Sequence, residues 1–191
     1  MKGRKPVTST ERIQLAKNTR VIVVADTHSK PHPNTIEIIK EKQPDLILHA
    51  GDIGTLSVLD PLKKIAPLIA VRGNIDSVKC DLPDVVTIFF ESAGVVRSCW
   101  LLTHIAVRGP KLKSPIHSLA SAMQAQLVVC GHSHVPLLTH DRGIAVFNPG
   151  SCGPRRFVLP ILIGQIDIDQ AGLHFQHIAC STGETWRPDV G

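Results

Sequence analysis

Five short apolar runs, each ended by side chains that bind metals, constrain this chain more than any other feature. The runs are Val21 to Ala25, Leu46 to Ala50, Leu68 to Val71, Trp100 to Thr103 and Leu127 to Cys130. They are rich in branched residues and short, the pattern of strands in a sheet covered on both faces. Just beyond them come Asp26 and His28, Asp52, Asn74, His104, and His132 with His134. In open α/β sheets, ligands bind in the crevice past the carboxyl ends of the strands. Five strand ends can therefore converge on one site, although their residues lie far apart in sequence.

Two aspartates, one asparagine and four histidines form a donor set of nitrogen and oxygen without thiolate. Such a set suits manganese, iron, zinc or nickel better than Cu(I) or an iron–sulfur cluster. It is also the set of a two-metal hydrolytic centre, which is built for in-line displacement at phosphorus. Asp52 is the candidate bridge, because a carboxylate has two oxygens. The spacing of two between Asp26 and His28, and between His132 and His134, would put each pair on one face of an extended backbone. Gly51, Gly73 and Gly131 each precede a candidate ligand, where a glycine allows sharp turns and close approach of backbone.

The ordered set DxH, GD, GNxD, a strand-end His and GHxH resembles the calcineurin-like metallophosphoesterase superfamily. The GNID, GHSH and FNPGS segments resemble its small YfcE-type phosphodiesterase branch, and the match runs from about Val21 to Asp169. The motifs are specific jointly and weak singly. The resemblance implies an α/β (α+β) fold, a four-layer αββα sandwich of two mixed β-sheets flanked by helices. It implies one divalent metal held by Asp26, His28, Asp52 and His134, and a second held by Asp52, Asn74, His104 and His132. Manganese is the first expectation for both, with iron, zinc or nickel as alternatives. It further implies a hydroxide, held between the metals by residues including Asp52 and His104, that attacks the phosphorus of a small phosphoester. Two departures stand out. Ile75 occupies the place where many members carry the general-acid histidine, and Ile105 and Ala106 follow His104 where members often have Gly and His. Loss of a proton donor favours a phosphodiesterase with good leaving groups over a phosphomonoesterase. The alternative is a non-catalytic scaffold, like the retromer subunit that resembles these enzymes but has lost key histidines.

Other polar residues have blander readings. His32, His49, His117, His140, His174 and His177 fit no motif and are read as structural or exposed. Asp76 caps the turn after Asn74 at least as readily as it orients a ligand. Asn148 to Ser151 is a turn signal, a wall of the site and not a ligand. Arg155 and Arg156 are candidate substrate contacts, because a guanidinium suits phosphate oxygens. Cys152 has no evident general base beside it and is read as structural.

Charge divides the chain. Residues 1–20 contain Lys2, Arg4, Lys5, Arg12, Lys17 and Arg20 against Glu11 alone, so they carry the whole formal charge of +5. This predicts a loosely ordered basic leader over residues 1–19, a catalytic domain over 20–180 and a loose tail over 181–191. A solvated leader is the stronger reading than a nucleic-acid contact, although residues 8–15 also carry a helix-capping pattern. Five scattered cysteines without CxxC predict free thiols and a cytoplasmic location. No apolar run long enough to span a membrane occurs, no secretory signal is expected, and a homo-oligomer is left open. Periodicity predicts helices over 34–42, 55–65 and 114–126. It also predicts an antiparallel pair over 85–90 and 95–103, and hairpins joining 135–139 to 144–147 and 161–168 to 173–178.

Overall fold

Alternation along the central strands divides the interior into three cores. Val21 and Val23 enter one core while Ile22 and Val24 enter another. Leu46 and Leu48 part from Ile47 in the same way. In the opposite sheet Trp100 and Leu102 part from Leu101. A strand that is apolar on both faces must be covered on both, and that requirement generates the layers. The computed structural model describes residues 5–156 and 158–188.

In chain order the elements are β1 (Thr8–Gln14), β2 (Thr19–Val24), α1 (Thr35–Lys42), β3 (Leu46–His49), α2 (Leu59–Lys63), β4 (Leu68–Ala70), β5 (Val85–Ser92) and β6 (Val95–Thr103). There follow β7 (Val107–Arg108), β8 (Lys111–Leu112), α3 (Ser114–Ala122), β9 (Leu127–Val129), β10 (Leu137–Asp141), β11 (Ile144–Asn148), β12 (Leu162–Asp169), β13 (Gly172–Ala179) and β14 (Thr185–Trp186). Two six-stranded mixed sheets result, ordered β1-β5-β6-β9-β11-β10 and β14-β13-β12-β2-β3-β4. The core between them holds Trp100 against Phe90, with ring centroids 4.4 Å apart. On the outer face of the second sheet, Ile38 and Ile39 of α1 and Leu59 and Leu62 of α2 cover Ile22 and Ile47. On the outer face of the first, Ala120 of α3 joins Leu101 and Val128. This is the expected αββα sandwich. The antiparallel β5–β6 pair and the hairpins β10–β11 and β12–β13 also match expectation.

The leader and the tail do not. Residues 8–14 form neither a loose arm nor a capped helix. They make β1, paired in parallel with β5 from Thr8 opposite Val85 to Gln14 opposite Glu91. Ile13 and Leu15 pack on the inter-sheet core, and Arg12 pairs with Glu91 while its guanidinium lies 5.1 Å from the Phe89 ring centre. Charge alone therefore misled, because β-branched Thr and Ile residues facing an open sheet edge outweigh the basic composition. In the tail, Thr185–Trp186 adds to β13 as an edge strand. Residues 1–4 and 189–191 of those two expectations lie outside the described residues. Helix α3 ends at Ala122 instead of Gln126, since Gln124 adopts a left-handed φ of 52° that stops the helix. No helix among the described residues is long and apolar enough to cross a membrane.

Candidate metal centre

Strands β2, β3 and β4 run parallel, as do β6 and β9, so their carboxyl ends gather at one end of the sandwich. Asp26 and His28 follow β2, Asp52 follows β3, Asn74 follows β4, His104 follows β6, and His132 and His134 follow β9. Donor atoms of Asp26, His28 and His134 lie within 4.8 Å of one another, and so do those of Asp52, His104 and His132. Asp52 stands between the triads. Its Oδ1 is 3.1 Å from His104 Nε2, and its Oδ2 is 3.8 Å from His28 Nε2. Asn74 Oδ1 joins the second triad, 3.1 Å from His104 Nε2 and 2.8 Å from His132 Nδ1. All seven residues expected from sequence are thus brought together. Asp26, Asp52, His104 and His134 are buried, whereas Asn74 and His132 are exposed and mark the open side.

The local backbone differs from the extended geometry expected. Asp26, His28, Asp52, His132 and His134 have φ of 55°, 46°, 54°, 71° and 58°. A left-handed conformation costs a non-glycine residue roughly 1–2 kcal/mol, and Asp and His tolerate it better than most. Each pair converges because the chain coils sharply off its strand, not because of period-two alternation. Such strain persists only where the surroundings over-determine it. Gly51 shows how tight the turn is: φ is 89°, and a Cβ there would lie 2.8 Å from His104 Nδ1. A Cβ on Gly73 would collide with both the side chain and the backbone of Asp52.

Hydrogen bonds from outside the site orient the donor atoms inward. His104 Nδ1–H donates to the Ala50 carbonyl at 2.8 Å, which turns Nε2 toward Asp52 Oδ1, where it donates in the metal-free site and where a cation would replace the proton. A partner on one ring nitrogen is how a protein prepares the other for a metal. Asp26 Oδ1 is buried without a hydrogen-bond partner, while Oδ2 accepts the His132 backbone N–H at 3.0 Å. Burial pushes the Asp26 carboxyl up to about 7. Burial also acts on Asp52, but the hydrogen bond and charge of His104 outweigh it and hold Asp52 at about 2. Burial lowers His28, His132 and His134, the last to about 4. Burial opposes protonation of His104 too, yet Asp52 and Asp26 raise it above its ordinary value. An orphaned carboxylate oxygen, two triads of donors and one proton shared by Asp52 and His104 fit cations at this place.

Several residues that hold the ligand loops were missed or underrated from sequence. Asp76 is buried and accepts three backbone N–H groups: Ile53 at 3.1 Å and Gly73 at 2.7 Å on Oδ2, and Gly54 at 2.8 Å on Oδ1. It ties the Asp52 loop to the Asn74 loop. Asn148 Nδ2 donates to the Gly131 carbonyl and to Ser133 Oγ, fixing the GHSH segment. Ser151 donates to the Asp26 carbonyl at 3.0 Å. The GNxD and FNPGS signals held the clue, but a polar turn residue looks the same in sequence whether or not it braces a site.

Of the two arginines, Arg155 donates to the carbonyls of Leu159 and Val158 and braces its own loop. Arg156 is exposed, and its charge acts on Asp26, His28, His132 and His134. Ile75 has 47% of its surface exposed, and its backbone N–H donates to Asp52 Oδ1 at 3.1 Å. Cys152 is a buried thiol facing the Ala25 carbonyl, as expected of a structural cysteine. His174 pairs with Asp169, and His177 bonds the Asn148 carbonyl. A cavity of about 840 Å³ between β10 and β13–β14, lined by Leu137, Phe175 and Trp186 among others, shares no lining residue with either donor triad.

Comparison with known proteins agrees with this geometry. The family model of the calcineurin-like phosphoesterase superfamily domain matches residues 19–171, and the chain belongs to that superfamily. It is 31% identical over 134 residues to a probable metallophosphoesterase, MJ0623, of Methanocaldococcus jannaschii. That match covers 68% of this chain and 66% of the relative, slightly under two thirds of its length. Among solved structures, the phosphoesterase YfcE of E. coli superposes with a TM-score of 0.62 at 21% identity, covering 88% of this chain and 97% of that one. Vacuolar Protein Sorting 29 of Cryptosporidium parvum gives 0.69 at 17% identity, with 90% and 96% covered. At these identities the two structures speak for the fold alone.

Proposed function

We propose that this protein is a metal-dependent phosphodiesterase. The observation that carries the reading is the Asp52 carboxylate, with one oxygen toward each of two donor triads. Asp26, His28, Asp52 and His134 would hold one divalent cation, and Asp52, Asn74, His104 and His132 the other, with manganese the first to try. When bound, such cations supply Lewis acidity that activates water and neutralises phosphate oxygens. The remaining work falls to the chain itself. The open side at Asn74 and His132 admits a small phosphoester. Arg156 adds positive charge at the mouth and suits a non-bridging phosphate oxygen. Ile75 stands at the mouth with no proton to give. General-acid help is commonly worth about 10²–10⁴-fold, so a leaving group that departs as a stable anion is favoured. The probable-metallophosphoesterase name of the M. jannaschii relative supports the reaction class.

A non-catalytic binding role is the second reading. Ile75 in the acid position favours it, while the full donor set opposes it. The test is turnover of metal-reconstituted protein on aryl diesters and monoesters of graded leaving-group pKa. Diester hydrolysis should fall steeply as the leaving group becomes more basic, and Ile75→His should help the poorest leaving groups most. Absence of turnover by metal-loaded protein on every ester would favour the binding role.

A further inference from the structure

His49 is fully buried at the end of β3 and is not one of the donors. Its Nδ1 lies 3.2 Å from the Gly51 backbone nitrogen, and its Nε2 lies 3.0 Å from Thr27 Oγ1. A backbone N–H can only donate, so Nδ1 must be the acceptor and Nε2 must carry the proton. Thr27 Oγ1 receives that proton and passes its own to the Ile53 carbonyl at 3.0 Å. The result is a one-way chain: Gly51 N–H to His49, His49 Nε2–H to Thr27, Thr27 O–H to Ile53. Every polar atom of the chain is satisfied, as a buried network requires.

The ends of this chain matter. Gly51 and Ile53 flank Asp52, and Thr27 lies between Asp26 and His28. The same two loops also exchange main-chain bonds, Asp26 N–H to Gly51, His28 N–H to Asp52 and Ser29 N–H to Ile53, and at their far end Ser29 Oγ accepts the Thr55 N–H at 2.8 Å. Those bonds can persist while the loops slide or pivot by tenths of an ångström. A rigid imidazole spanning them cannot follow such a slide without breaking one of its two bonds. Asp26, His28 and Asp52 are also the left-handed residues whose conformation needs external support. Burial keeps the ring neutral, lowering its pKa to about 3, so the chain keeps its direction at ordinary pH.

We propose that His49, acting only as its Nε2–H tautomer through Thr27, is the positioning residue that sets the distance between the Asp26–His28 loop and Asp52. This rests on reading the two triads as a metal centre. It predicts that the hydroxyl of Thr27, which touches no donor, controls cation affinity.

The experiment titrates Mn²⁺ into the full-length folded protein, by calorimetry or by loss of the free-ion EPR signal. The variants are Thr27→Val, His49→Gln and the double variant, each at a temperature where circular dichroism shows it folded. Thr27→Val keeps shape and removes the hydroxyl. His49→Gln retains a donor toward Thr27 and loses the acceptor for Gly51. Loss of partners of this kind typically weakens metal binding about 10–100-fold. Each single variant should fall in that range, and the double variant should lose no more than the worse single one, since either cut opens the same chain. Independent structural damage would instead multiply the two losses. Long-range ¹H–¹⁵N NMR of the wild type should show the Nε2–H form of His49 from pH 5 to 8. Wild-type affinity in Thr27→Val, multiplicative losses, or an Nδ1–H tautomer would each overturn the proposal. If His49→Gln does not fold, Thr27→Val and the NMR spectrum decide alone. A wild-type protein that binds no Mn²⁺ would instead count against the metal centre itself.

Discussion

Asp76→Ala removes a buried carboxylate that ties the Asp52 loop to the Asn74 loop. Three backbone donors lose a carboxylate acceptor: Ile53, Gly73 and Gly54. Hydrogen bonds to charged groups contribute about 1.5–3 kcal/mol each. Gly54 is only partly buried and can turn to water, so two donors count in full, which gives a loss of about 3–6 kcal/mol. Domains of this kind are stable by roughly 5–15 kcal/mol, so the variant should fold but sit close to its limit. Urea unfolding of the metal-free protein, read by fluorescence of the buried Trp100, gives the number directly. Asp76→Asn keeps one acceptor oxygen and should fall between wild type and alanine. Because Asp76 is not among the donors, any loss of Mn²⁺ affinity must come through the loops it holds. An alanine variant within about 1 kcal/mol of wild type, with unchanged Mn²⁺ affinity, would refute the bracing argument.

Other perturbations separate the parts of the account. Asp52→Asn should weaken both cations, and by more than His28→Ala or Asn74→Ala; calorimetric titration showing one site intact would remove Asp52 as the bridge. Asp26 holds its proton up to about 7 in the metal-free chain, and a cation must displace it. Mn²⁺ affinity should therefore drop by at least about tenfold for each pH unit below about 7, and because His104 must also give up its proton, Asp26→Asn should make the slope shallower without abolishing it. Deleting residues 1–16 strips β1 from β5 and the packing of Ile13 and Leu15 from the core. Melting should fall by about 5 °C and light scattering should reveal association through the bared edge; a truncated chain as stable as the full one would contradict the role of β1.

The residue pattern reveals some features and hides others for physical reasons. Val21 to Ala25 and Leu46 to Leu48 are apolar at every position, so their double burial could be read directly. The seven donors were legible because each lies at a strand end, where backbone direction leaves little choice. Their left-handed backbone was not, because spacing of two fits both an extended and a coiled chain. Thr8 to Gln14 was misread since net charge is a property of composition, while strand formation there depends on the open edge of β5, which is distant in sequence. His49 and Asp76 could be seen as polar residues near motifs, but their roles depend on which N–H groups surround them, and that is settled only by packing. Arg155 and Arg156 are neighbours in sequence, yet the loop spends one guanidinium on its own carbonyls.

The central claim is that five strand ends assemble one centre for two cations. Anomalous diffraction from crystals grown with Mn²⁺ tests it most directly. Two peaks about 3.5–4 Å apart are expected, one against Asp26, His28 and His134, the other against Asn74, His104 and His132, with Asp52 touching both. Peaks elsewhere, or none from protein crystallised in saturating Mn²⁺, would contradict it.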